Sequence, residues 1–81
     1  MKATQAKQKV DLKSMARRWP SALVARNEID KFTGGVIHPR TMANKDAFGE
    51  GIENSFRVGR KVVYHVADVI RWLEKHAEAV E

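Results

Sequence analysis

Hydrophobic positions are sparse over the first 20 residues and then fall into short groups separated by glycines and charges. The longest group is the last one. Val66, Val69, Ile70, Leu73, Ala77 and Val80 follow helical spacing and predict a helix over residues 66–80. Asp68 near its start and Lys75 and His76 later suit the helix dipole. Trp72 flanks the apolar stripe and is expected to pack against the domain.

Three shorter groups precede it. Residues 24–33 predict a first helix, with Ile29 and Phe32 on one face, Leu23 or Ala25 extending it, and Gly34-Gly35 ending it. Residues 39–48 predict a second helix, with Pro39 at the first position, His38 as the cap, Met42 pointing inward and Gly49-Glu50-Gly51 ending it. Phe56-Arg57-Val58 and Val62-Val63-Tyr64 read as two strands of a hairpin. A two-residue loop, Gly59-Arg60, sets Val58 opposite Lys61. A three-residue loop instead pairs Val58 with Val62 and Phe56 with Tyr64, gathers four apolar side chains on one face, and is preferred on that ground. Arg57 and Val63 then point away.

Composition narrows the picture. With 81 residues there is room for one domain and a small core. There are no cysteines, hence no disulfide framework and no cysteine-based metal site, which fits a reducing cytoplasm. No apolar run approaches the roughly 18 residues of a membrane span, and no secretory signal opens the chain, so an intracellular, cytoplasmic protein is expected. The charge is uneven. Residues 1–20 hold six basic side chains against Asp11 alone, so the whole formal excess of +5 sits there, while residues 21–81 balance nine against nine. This predicts a basic, flexible N-terminal arm over 1–20 and a folded domain over 21–81. A basic arm points to a polyanionic partner, and a solubilising tail is the plain alternative.

Few residues carry chemistry. His38, His65 and His76 stand at separate element ends without companion ligands, so no metal is expected. Ser14, Ser21 and Ser55 lack a nucleophile-elbow context, and Glu28, Glu50 and Glu53 form no acid–base pair. No cofactor loop is present, and no enzymatic role or small-molecule substrate is indicated. The order short helix, turn, second helix, hairpin, final helix is the winged-helix plan, in which the second helix enters the major groove. Arg40 can pair with guanine and Asn44 with adenine, and, four apart, they share a face. Thr41 and Lys45 form a neighbouring pair for phosphates or thymine methyls. Arg57, Arg60 and Lys61 cluster on the hairpin, where arginine suits a narrow minor groove. An ordinary solvated helix face and a charged tip guarding against edge-to-edge pairing are the competing readings. Asp46 on the same helix repels phosphates unless it is turned away or paired.

Arg26-Asn27-Glu28-Ile29, Pro39-Arg40-Thr41-Met42-Ala43-Asn44, Gly49-Glu50-Gly51, Val58-Gly59-Arg60-Lys61-Val62-Val63-Tyr64 and Asp68-Val69-Ile70-Arg71-Trp72-Leu73 occur in this order. Together they resemble the excisionase-like helix-turn-helix family, which belongs with the MerR-type winged helices. The resemblance covers residues 23–74. It implies a mainly α fold with three helices and a two-stranded wing, and sequence-specific binding of double-stranded DNA without catalysis. It also implies a role in excision of prophage DNA or in transcription control, with an integrase or a second copy of the chain as partner. Arg40, Thr41, Asn44 and Lys45 are the implied recognition-helix contacts and Arg57, Arg60 and Lys61 the wing contacts. The chain departs from the family pattern at His38, Ile52 and His65, where serine or threonine, proline, and proline or arginine are frequent. The competing expectation is a protein-interaction module that docks an integrase or another partner through its C-terminal helix.

Overall fold

The structure, a computed structural model, describes residues 11–78 and 80. In chain order the elements are α1 (Met15–Arg18), β1 (Leu23–Ala25), a 3-10 turn (Arg26–Glu28), α2 (Ile29–Phe32), α3 (Pro39–Ala47), β2 (Phe56–Val58), β3 (Lys61–His65) and α4 (Val66–His76). The three strands form one antiparallel sheet in the order β1-β3-β2. The result is a small α/β domain whose core is Val24, Ile29, Phe32, Ile37, Met42, Ile52, Tyr64, Val66, Val69, Ile70 and Leu73. Among the described residues no helix is long and apolar enough to cross a membrane.

The expected two-stranded hairpin is thus corrected to a three-stranded sheet. Leu23–Ala25, expected to extend the first helix, pairs along the free edge of β3, with Val24 opposite Tyr64. Both of these side chains are fully buried. A β-branched residue in a segment leaving Pro20 gains more from closing that edge than from a helical turn. The first helix shrinks to the 3-10 turn and α2, which still bury Ile29 and Phe32.

The hairpin register is a second correction. Phe56 pairs with Val63, Arg57 with Val62 and Val58 with Lys61, so the loop is the two-residue Gly59-Arg60. Gly59 has φ +61°, as the first position of a two-residue loop that follows the strand twist requires. The parity argument assumed one buried face, but β3 buries residues on both. Tyr64 points into the core, while Val63 is buried on the reverse face beside its partner Phe56, whose ring lies 5.1 Å from that of His65.

Both chain ends also differ from expectation. Leu12, Met15 and Trp19 pack against the core. The backbone N–H of Leu12 donates to Glu74 Oε2 at 2.8 Å, and the Trp19 ring meets Phe32 edge-on at 5.2 Å. Their spacing of three and four is helical, a signal diluted by the surrounding charges. Over residues 11–20 the expected flexible arm is therefore a docked turn of helix, with Lys13, Arg17 and Arg18 exposed. The rest of that arm, residues 1–10, lies outside the described residues. At the other end, α4 stops at His76 and Val80 is 95 % exposed. The buried stripe ends at Leu73, so no burial repays continuing the helix.

Candidate nucleic-acid interface

α3 is held at both ends and along one face. His38 caps it, its Nδ1 accepting from the Arg40 N–H at 3.2 Å, so the histidine does the work of the more usual serine or threonine. At the far end the Gly49 N–H donates to the Asp46 carbonyl and the Glu50 N–H to the Lys45 carbonyl, a closed Schellman arrangement. Met42 is the buried anchor between them.

Asp46 is the only carboxylate on α3, and it faces inward. Arg26 Nη2 lies 2.7 Å from Asp46 Oδ2, and the same oxygen accepts from the Tyr64 hydroxyl at 2.5 Å. Arg26 Nε in turn donates to Tyr64 Oη at 2.9 Å. The other carboxylate oxygen accepts from the Ile52 N–H at 3.1 Å, a bond that proline at position 52 would forbid. The 3-10 turn, β3 and the segment just after α3 are thereby tied to one side chain. The carboxylate also dictates its neighbour: a Cβ at position 51 would sit 1.7 Å from Asp46 Oδ1, so only glycine lets the chain pass.

Burial, followed by the hydrogen bond to Asp46, pushes the Tyr64 hydroxyl up to about 12, although Arg26 pulls the other way. Burial opposes the Arg26 charge, but the bonds to Tyr64 and Asp46 outweigh it and raise that guanidinium above its ordinary value. Because the folded tyrosine ionises later than the unfolded one, its contribution is complete below pH 10. That contribution is lost as pH rises from about 10 to about 12. Wild type should lose on the order of 2 kcal/mol more than Tyr64→Phe over that interval, read by denaturant unfolding at each pH. Equal slopes for the two proteins would show that Tyr64 is not held protonated by the fold.

The outward face of α3 carries Arg40, Thr41 and Asn44, all exposed, and Lys45 is half-buried. These four divide. Thr41 and Lys45 border an apolar groove of about 550 Å³ whose walls include Leu12, Met15 and Trp72, whereas Arg40 and Asn44 lie outside it. On the hairpin Arg57, Arg60 and Lys61 are exposed. Arg60 and Lys61 share a depression of about 270 Å³ with Asn27 and Pro39, which sets the hairpin tip beside the N-terminal end of α3. The revised register puts Arg57 on the Val62 face of the sheet, and Val62 lines the same depression.

Pairing sorts the charges. Arg26, Lys31 and Arg71 sit against Asp46, Glu28 and Asp68. Arg40, Lys45, Arg57, Arg60 and Lys61 have no carboxylate within ion-pair distance among the described residues. A domain neutral by count thus presents uncompensated cations on α3 and the hairpin. Among the described residues no group of three histidine, cysteine or carboxylate side chains is placed to hold a metal ion. Sequence reasoning missed Arg26 as the partner of Asp46, because their separation of 20 residues has no local signature, and it passed over Phe48, which is exposed at the C-cap of α3. The chain matches no family model, no curated protein and no solved structure.

Proposed function

We propose that this chain binds double-stranded DNA sequence-specifically, as a winged helix-turn-helix of the excisionase type. α3 lies in the major groove and the β2–β3 hairpin rests on the adjacent backbone. The observation that carries this reading is the orientation of Asp46. The one α3 group that would repel phosphates is consumed by Arg26 and Tyr64, and the solvent face is left to Arg40, Thr41 and Asn44. Arg40 and Asn44 are the base-reading pair, with guanine and adenine as their geometric matches. Thr41, Lys45, Arg57, Arg60 and Lys61 supply phosphate contacts that set position rather than sequence. An architectural role in DNA excision and control of transcription both use such a surface.

Selection from a random duplex pool, followed by mobility-shift titration, tests this. Arg40→Ala or Asn44→Ala should each cost about 1–3 kcal/mol on the selected site and relax preference at one base pair. Arg60→Ala and Lys61→Ala should weaken all duplexes alike and lower the salt slope by about 1 each. Unchanged specific binding in both α3 variants would overturn the assignment. Docking of a partner through α4 has less support, because Val66, Val69, Ile70 and Leu73 are already buried in the domain's own core.

A further inference from the structure

Phe48 stands apart from the chain's other aromatic residues. Trp19, Phe32, Phe56, Tyr64 and Trp72 are buried or half-buried, whereas Phe48 is 79 % exposed. Its backbone is fixed in place. Its N–H donates to the Asn44 and Lys45 carbonyls, and the two following N–H groups close the helix end behind it. Residues 40, 44 and 48 are four apart, so the phenyl ring continues the stripe of Arg40 and Asn44. At 1.5 Å per residue the stripe is about 12 Å long, roughly three to four base-pair steps of DNA.

We propose that Phe48 is a third base-reading side chain, whose ring packs on the 5-methyl group of a thymine beyond the base pairs read by Arg40 and Asn44. The major groove offers one apolar group, that methyl, and an exposed ring at the end of two polar base readers is its chemical complement. This inference rests on the DNA-binding reading of α3. It adds a preference for thymine at one end of the site that neither Arg40 nor Asn44 can supply.

The test uses the full chain and the selected duplex, with each thymine replaced in turn by deoxyuridine, which lacks only the methyl. At one thymine, or two, the replacement should weaken wild-type binding about fourfold, the scale of one buried methyl group. Phe48→Ala should bind the thymine duplex about that much more weakly and be indifferent to the replacement. Phe48→Leu should keep part of the preference. Since Phe48 is exposed, the far-UV circular dichroism and unfolding midpoint of both variants should match wild type. Specific binding in which the methyl and Phe48 effects simply add overturns the inference alone. Wild type that prefers no selected duplex over random DNA overturns it together with the DNA reading. A free protein that sediments as a dimer in wild type and a monomer in Phe48→Ala, with DNA affinity unchanged, overturns it in favour of a contact between copies.

Discussion

Asp46→Ala should destabilise the domain by about 3 kcal/mol, the largest effect expected of any polar substitution in it. The variant strands three groups at once: the Arg26 guanidinium, the Tyr64 hydroxyl and the Ile52 N–H. The Arg26 and Asp46 side chains are 26 % and 13 % exposed, so water relieves part of the loss, and the figure belongs at the low end for broken buried pairs. A chain of this length is stable by roughly 4–12 kcal/mol, so a quarter or more of the total is at stake. Urea unfolding of wild type and variant measures it. A double-mutant cycle with Gly51→Ala isolates the steric part. The added Cβ collides with the carboxylate in wild type. With alanine at 46 the carboxylate clash is gone and the contact with the Cα of residue 46 at 2.9 Å remains, so the glycine substitution should cost less, though not nothing, in the second background. A loss below about 1 kcal/mol would mean that desolvating the pair offsets nearly all of its attraction.

Met42→Ala follows closely, at about 3 kcal/mol. Met42 is fully buried and is the only α3 side chain in the core, so its removal leaves a cavity directly beneath the helix. Met42→Leu, which keeps volume and apolarity, should cost under about 1.5 kcal/mol. The two substitutions together separate packing from chemistry. If alanine and leucine cost the same, the methionine is not filling its site, and α3 must be held by Asp46 and the caps instead. Both variants also bear on the proposed DNA binding, since a helix loosened at Met42 would present Arg40 and Asn44 in more than one orientation.

How much of this was legible depends on how local each signal is. The start of α3 at Pro39, its inward Met42 and the stripe of α4 rest on spacings within a few residues, and a reader of the chain finds them. β1 is three residues long, shorter than any window in which alternation can be seen, and it exists only because β3 has an edge for it. The register of the hairpin failed for a related reason: that Val63 would be covered on the reverse face depends on Phe56 and His65 meeting across the sheet. The candidate site divides in the same way. Arg40 and Asn44 were found from helical spacing, and both are exposed. That Asp46 is harmless to an anionic partner required Arg26 and Tyr64, 20 and 18 residues away, and the sequence flagged only the problem, not its solution.

The residues that fasten α3 to the domain and the residues it displays are separate sets. Met42 and Asp46 hold it from within, His38 and the closure at Gly49 and Glu50 hold its ends, and none of these is Arg40, Thr41, Asn44 or Phe48. α3 is in that respect an interchangeable cartridge. A library randomised at 40, 41, 44 and 48 would vary the displayed chemistry while leaving the mounting intact, and altered recognition can be selected from it without re-solving the fold each time.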